Sequence, residues 1–319
     1  MRGEYPAPVQ IWRDVDDVPA DLGRTVVSIG NFDGVHLGHA HVLREAQATA
    51  QRLGIDTVVA VTFDPHPMAV LRPEHAPPTL TSIETRSRLL EAAGIDSILV
   101  VGFDREVASW SPEEFIDRIL VDTLHAGAVV VGANFRFGNK AAGEVATLVE
   151  AGASRDFETV GVALDGGPQV WSSTYVRQCL ATGDVAGAAE ALGRPFTVRG
   201  TVVEGDKRGR ELGYPTANVP LPPVDAAPAD GVYAGWLTRL DTGERFPAAI
   251  SVGTNPAFDG ERDRRVESYV LDRDDLELYG VEVEVAFVDR LRGMVRFEGI
   301  EALVETMHDD VRRARALLA

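Results

Sequence analysis

Ten residues, Gly30-Asn31-Phe32-Asp33-Gly34-Val35-His36-Leu37-Gly38-His39, follow an apolar run at 25–29 and precede a helical pattern that begins near His39. Gly30, Gly34 and Gly38 let backbone N–H groups approach phosphate oxygens, and the helix after them turns its positive end toward the same anion. Gly30, Phe32, Asp33 and Gly34 are assigned to binding of ATP or its phosphates. His36 and His39 stand three apart, so on a nascent helix they share one face. Two imidazoles over such a cradle suit a transfer in which negative charge builds on phosphorus. No Lys-Ser/Thr pair follows the glycines, which excludes the P-loop pattern. An ordinary strand-to-helix turn that happens to contain histidines is the bland alternative; Phe32-Asp33-Gly34 and the order of strand and helix weigh against it.

Two more clusters handle anions. Trp171-Ser172-Ser173-Thr174-Tyr175-Val176-Arg177 opens a helix running to about Thr182, capped by Ser172 or Ser173. Its free N–H groups, with Ser173 and Arg177 one turn on, make a second phosphate site. Capping alone would explain the serines, and the arginine tilts the reading toward a ligand. Further on, Gly205-Asp206-Lys207-Arg208-Gly209-Arg210-Glu211-Leu212-Gly213-Tyr214-Pro215-Thr216-Ala217-Asn218 sets three glycines and three basic side chains before a group of oxygen donors. Such a loop can close over triphosphate, which assigns Gly205, Lys207 and Gly213 to phosphate. The hydroxyl of Thr216 and the amide oxygen of Asn218 are hard ligands suited to Mg²⁺, and on a strand they face the same side. An exposed charged hairpin without a ligand is the alternative; the Pro-Thr-Ala-Asn ending weighs against it.

The elements that must position these groups differ between the two halves. Residues 57–62, 97–102 and 128–132 are Val/Ile/Leu-rich, as strands buried on both faces are, and helical spacing fills 83–93 and 112–124, the latter with Ser111 as N-cap and Pro112 after it. This alternation predicts a parallel sheet covered on both sides, with ligands at the carboxyl ends of its strands. Three clusters then meet on one rim: His36 and His39, Asp64-Pro65-His66-Pro67, and Asn134-Phe135-Arg136-Phe137-Gly138. A short helix over 184–192 ends at Gly193-Arg194-Pro195, which sets domains of 1–193 and 194–319. Beyond it, 196–203, 231–240, 246–252, 265–271 and 281–288 read as strands, 220–229 as a loop and 300–318 as an amphipathic helix, predicting an antiparallel barrel with a terminal helix outside.

Composition bounds the function. A formal net charge of −18 over 319 residues, with a pI near 4.8, excludes a protein that neutralises nucleic acid or coats an anionic membrane, while the length allows two cores. The single cysteine, Cys179, lies in an apolar stretch and reads as a small buried side chain in a reducing compartment. No basic start precedes an apolar run in residues 1–17, and no run of about eighteen uncharged apolar residues occurs, so a soluble, cytoplasmic protein is expected. Association into a homo-oligomer stays open.

With these motifs in their order, nearly the whole chain resembles the bacterial bifunctional riboflavin kinase/FAD synthetase family. His36-Leu37-Gly38-His39 looks like the HxGH signature of nucleotidyltransferases. Thr62-Phe63-Asp64-Pro65-His66-Pro67, the 132–138 segment and Ser172-Ser173-Thr174 with Arg177 match the family's adenylyltransferase module. Gly205 to Asn218, Gly253-Thr254-Asn255-Pro256, Val266-Glu267, Leu278-Tyr279-Gly280 and the 287–297 stretch with Arg290 and Arg292 match its kinase module. Ala257 stands where many relatives carry threonine. The resemblance implies a Rossmann-like α/β nucleotidyltransferase domain followed by a β-barrel kinase domain.

It also implies two ATP-dependent reactions. In the kinase module riboflavin receives the terminal phosphate of ATP, giving FMN and ADP, with Glu267 as the base by family position and Mg²⁺ near Thr216 and Asn218. In the adenylyltransferase module the FMN phosphate attacks the α-phosphorus of ATP, giving FAD and pyrophosphate, with His36 and His39 on the transferred group and Ser173 and Arg177 on the departing phosphates. Asn134, Phe135 and Phe137 hold the flavin or the adenine. For Glu267 a cross-strand salt bridge is the structural alternative, and for the two phenylalanines a place in the core. At the level of the chain, an enzyme with one live module and a non-catalytic flavin carrier are the competing readings; each module's full polar set weighs against both.

Overall fold

Segments that are apolar on both faces of an extended chain must be covered twice, and the first half of the chain folds to meet that demand. The computed structural model describes residues 9–163, 171–205, 213–253, 264–273 and 275–319. Contacts divide the chain into two compact units, Met1–Trp171 and Ser172–Ala319.

The first unit runs β1 (Gln10–Trp12), β2 (Thr25–Ile29), α1 (Leu37–Leu53), β3 (Thr57–Asp64), α2 (Pro67–Leu71), α3 (Ile83–Ala92), β4 (Ser97–Gly102), α4 (Pro112–Phe115), β5 (Ala126–Gly132), the hairpin β6 (Arg136–Phe137) and β7 (Gly143–Glu144), α5 (Val145–Arg155) and β8 (Glu158–Val162). Six strands form one parallel sheet in the order β1-β4-β3-β2-β5-β8. Val26, Val58, Ala60, Ile98 and Val130 face α1 and α3, against Val42, Leu43, Ala46, Ile83 and Leu90. Val27, Val59, Val61, Leu99 and Val129 face the other layer, against Phe115, Ile116, Ile119, Leu120 and Leu148. Each fully buried aliphatic of this kind stabilises the fold by about 1.5–3 kcal/mol. Strand order reverses between β2 and β5, and the crevice at such a reversal is where open α/β sheets hold ligands.

Two features depart from the periodicity. The helix expected over 112–124 is α-helical only through Phe115 and continues as a π-helix over Ile116–Thr123. β8 was not expected: it is an edge strand in which only Val162 is buried, so it carries no apolar run.

The second unit comprises α6 (Ser173–Thr182), α7 (Val185–Leu192), β9 (Phe196–Thr201), β10 (Thr216–Pro220), β11 (Gly231–Arg239), β12 (Arg245–Gly253), β13 (Arg265–Val270), β14 (Glu282–Gly293) and α8 (Ile300–Leu318). Its antiparallel sheet is ordered β10-β13-β12-β11-β14-β9. The chain beyond β9 returns to β10, where Val203 N–H donates to Asn218 O at 2.9 Å, and closes the barrel. Val219, Tyr233, Ile250, Val252, Val266, Val285 and Phe287, all fully buried, fill the core. α8 lies outside, packing Ala314 and Val311 over Val232, Ala234 and Ala249, and is pinned by a fork from Arg292 onto buried Asp310 (2.8–3.0 Å).

The strands of this unit begin just after the turn at Gly193. α6 belongs with the barrel: Ala229 N–H donates to Leu180 O (2.8 Å), and Arg290 reaches Thr182 O and Asp230 O (both 2.9 Å). Cys179 on this helix is buried, and burial pushes its thiol up, as for a packing residue.

Candidate active sites

In the first unit the loop from β2 to α1 is held from beneath. Gly30 N–H still donates to Val61 O (3.1 Å), and the chain then turns through Phe32 (φ 47°), Gly34 (φ 86°) and Val35 (φ 40°). Left-handed backbone at Phe32 and Val35 is strained and persists only where the surroundings over-determine it. Here they do. The Phe32 ring is sunk in the α1-side core. The buried Asp33 carboxylate accepts from Leu80 N–H (3.1 and 3.0 Å), Thr81 N–H (3.0 Å) and Thr81 Oγ1 (3.1 Å), and lies 3.5 Å from the Arg86 guanidinium. Asp33 therefore faces the interior and anchors the loop, so it does not set a second negative charge against a triphosphate.

α1 begins at Leu37 with His36 as its N-cap. The His36 Nδ1 accepts from His39 N–H at 3.3 Å, which leaves the imidazole proton on Nε2. The two rings stack, with centroids 3.7 Å and planes 22° apart. Gly38 makes the room: a Cβ there would lie 3.0 Å from His36 Cε1 and 3.1 Å from Trp171 O. Burial, then the electrostatic influence of neighbouring His36 and Arg86, holds His39 well below the usual histidine range, so it is neutral near pH 7. Nδ1 of His39 is buried and has no hydrogen-bond partner among the described residues.

Because β3, β2 and β5 are adjacent and parallel, the three expected segments leave the same edge of the sheet. His66 caps α2 through Nδ1, which accepts from Met68 N–H (3.1 Å), while its Nε2 lies 3.3 Å from Asn31 Nδ2. Asn134 is exposed after β5. Phe135 stacks on Phe137 at 5.5 Å, and Phe137 is buried in the core against Phe115.

In the second unit Ser172 caps α6, its Oγ accepting from Tyr175 N–H (3.1 Å), which leaves Ser173 in the first turn and half-buried Arg177 four residues on, on the same face. On the barrel, register does the positioning. Asn218 on β10 stands opposite Glu267 on β13, and Glu267 opposite Ser251 on β12. Ala217, Val219, Val266 and Val270 point inward, so Thr216, Asn218 and Glu267 share the outer face. The Asn218 Nδ2 donates to Thr216 O (3.1 Å) and Oγ1 (3.4 Å). Gly205 closes over this pair so tightly that a Cβ would stand 2.6–2.8 Å from the Asn218 amide. Gly213 is left-handed (φ 85°). Lys207, with Arg208 and Arg210, and residues 254–257 lie outside the described residues.

Two neutral oxygen donors, a carboxylate across the strand pair and a glycine wall fit a hard cation that keeps most of its coordination for phosphate and water. No cluster of three His, Cys, Asp or Glu able to hold a metal occurs among the described residues.

Models of two families match the chain: FAD synthetase over residues 18–174 and riboflavin kinase over 192–318. The bifunctional riboflavin kinase/FMN adenylyltransferase of Listeria monocytogenes is 34% identical over 316 residues, 99% of this chain and 96% of that one. The chain belongs to the bifunctional riboflavin kinase/FMN adenylyltransferase family. The Escherichia coli member is 36% identical over 91% of each chain. A crystal structure from Streptococcus pneumoniae, described as a macrolide-efflux protein, superposes with a TM-score of 0.85 at 30% identity, covering 97% of this chain and 99% of that one. No helix among the described residues is long and apolar enough to cross a membrane.

Within this riboflavin kinase/FMN adenylyltransferase framework, sequence reasoning missed the support beneath the histidine loop. Arg86 and Thr81 are buried polar residues on the helix and turn that follow α2. A signal was present: Arg86 falls on the apolar face of α3, between Ile83 and Leu90. A charge at such a position is buried only when it is paired.

Proposed function

We propose that this chain makes FAD from riboflavin in two ATP-dependent steps, with residues 194–319 phosphorylating riboflavin to FMN and residues 1–193 adenylylating FMN to FAD with release of pyrophosphate. The observation that carries the reading is the pairing of two differently built phosphate sites: stacked histidines at the end of a parallel sheet, and the Thr216, Asn218 and Glu267 group on a barrel wall.

In the kinase step the ribityl hydroxyl is a poor nucleophile until its proton leaves. Glu267 takes that proton. Thr216 Oγ1 and Asn218 Oδ1 would hold Mg²⁺, which would offset charge on the phosphate oxygens, and Gly205, Lys207 and Gly213 would serve the triphosphate. In the adenylyl step the nucleophile is already an anionic phosphate, so positioning and charge stabilisation suffice. His36 and His39 donate hydrogen bonds to the α-phosphoryl group at the start of α1, while the N–H groups of Gly30 and Gly34, held by Val61 O and Thr81 Oγ1, fix the loop that carries them. Asp33 and Phe32 act from behind, fixing the loop. Ser173 and Arg177 supply a further phosphate contact at the start of α6. Phe135, backed by Phe137 and flanked by Asn134, offers an aromatic face to the flavin or the adenine.

A net charge of −18 supports action in the cytoplasm apart from nucleic acid and membrane surfaces. The test is a time course of purified protein with riboflavin, ATP and Mg²⁺, the flavins separated by chromatography. FMN is expected first and FAD after it. FMN without FAD would remove the adenylyl assignment. Tight flavin binding with no ATP consumed would replace the enzyme with a carrier.

A further inference from the structure

Arg86 is among the least exposed charged residues of the first unit, at 4%, and the adenylyl mechanism above does not use it. Its guanidinium reaches the loop along two routes. Nη1 donates to Thr62 Oγ1 (3.1 Å) and Phe63 O (3.3 Å) at the end of β3, and Thr62 Oγ1 in turn donates to Asn31 O (3.0 Å). Nη2 donates to Thr81 O (3.3 Å) and faces Asp33; Thr81 Oγ1 accepts from Gly34 N–H (3.1 Å). Asn31 and Gly34 flank the strained Phe32, and Val35 follows, so the two routes grip the loop on both sides of its least favourable backbone.

Stability alone is a weak reason for this arrangement. Desolvating an arginine and an aspartate costs about as much as their attraction returns, and an apolar pair of similar volume would pack as well. What the charge network supplies, and an apolar pair would not, is direction: each donor fixes one acceptor on a different element. We propose that Arg86 is a positioning residue for adenylyl transfer, fixing the Gly30–Val35 loop so that His36 and His39 meet the transferred phosphorus. The influence of Arg86 in keeping His39 uncharged agrees with this placement. The inference rests on the adenylyl reading of this site.

The test compares Arg86→Met, Arg86→Lys and Thr81→Val in the full-length protein, with FAD formation from FMN and ATP as the readout. Riboflavin phosphorylation by the same preparation is the internal control. A loop displaced by about 1 Å loses transition-state contacts, so kcat of Arg86→Met should fall about 100-fold while KM for ATP and FMN changes less than about fivefold. Lysine keeps the charge and three donors, so Arg86→Lys should recover to within about tenfold of wild type. Phosphorylation should be unchanged in both. A kcat within about threefold of wild type for folded Arg86→Met, or a loss lying in KM, overturns the proposal. If Arg86→Met does not fold, Thr81→Val decides: it leaves the ion pair and removes the Gly34 anchor, and should lower kcat about tenfold. Wild-type kcat in that variant equally overturns it. A wild-type protein that forms no FAD would instead sink the underlying reading, independently of any variant.

Discussion

In the first unit the groups proposed for the chemistry are pressed into the protein: His36 is 6% exposed, it stacks on His39, and the loop carrying both is tied to an interior Asp33, Thr81 and Arg86 network. In the second unit Glu267 is half-buried on a barrel wall, placed by strand register between Asn218 and Ser251. The difference follows the two reactions. A phosphate nucleophile arrives already charged, so the adenylyl site needs rigid, uncharged donors and gains from excluding water. A sugar hydroxyl must lose a proton, so the kinase site needs a carboxylate that can accept it and pass it to solvent, and a partly open strand face provides that.

The sharpest way to break this contrast is Glu267→Ala. Removing a general base costs about 10²–10⁴ in rate, so FMN formation should all but stop. FAD formation from supplied FMN should persist at the wild-type rate, because no adenylyl group depends on that carboxylate. Separate assays from riboflavin and from FMN check both halves of the claim, and equal loss of the two activities in folded protein would refute it.

A smaller effect sharpens the other side. Alanine is favoured over glycine in a helix by about 1 kcal/mol, so Gly38→Ala in the first turn of α1 should not weaken the fold by propensity. Its Cβ would crowd the His36 ring at 3.0 Å and Trp171 O at 3.1 Å, with a backbone oxygen on one side that cannot yield as a side chain does. The expected result is about a tenfold fall in FAD formation at undiminished melting temperature and unchanged riboflavin phosphorylation. Full adenylyl activity would show that the ring stack tolerates movement, and the case for a rigid site would weaken.

Legibility divided along the same line. Strands buried on both faces announce themselves as Val/Ile/Leu runs, and the outer row of the barrel follows from alternation once β10 and β13 pair, so the sheet, the barrel and the Thr216–Asn218 face were all readable. The β2–α1 loop drew the phosphate reading because its glycines and histidines are contiguous. Its support was not readable, because Asp33, Thr62, Thr81 and Arg86 are scattered over a loop, a strand, a turn and a helix and meet only through the fold. Asp33 misled for the same reason: an acid inside a glycine-rich motif looks like a ligand contact until the backbone N–H groups of Leu80 and Thr81 are seen to claim it. The tie between α6 and the barrel was hidden too, since it depends on Arg290, more than a hundred residues away in the chain, reaching back to Thr182 O.

The least effect expected is on stability against pH, and it bears on whether His39 works as a neutral group. Its pKa in the folded protein is depressed, chiefly by burial, below the value of about 6.5 that it regains on unfolding. The unfolded chain therefore takes up a proton that the folded chain refuses, and stability present above about pH 6.5 is lost as pH falls below it, by at most about 1.4 kcal/mol per pH unit for one group. His39→Gln removes that contribution. Melting curves of wild type and variant between about pH 7.5 and 5 should converge toward acid, with the wild type losing more of its melting temperature. Parallel curves would mean that His39 protonates as easily in the fold as out of it. A charged His39 would then face the phosphates, and the division between a neutral, closed adenylyl site and an open kinase site would fail at its first term.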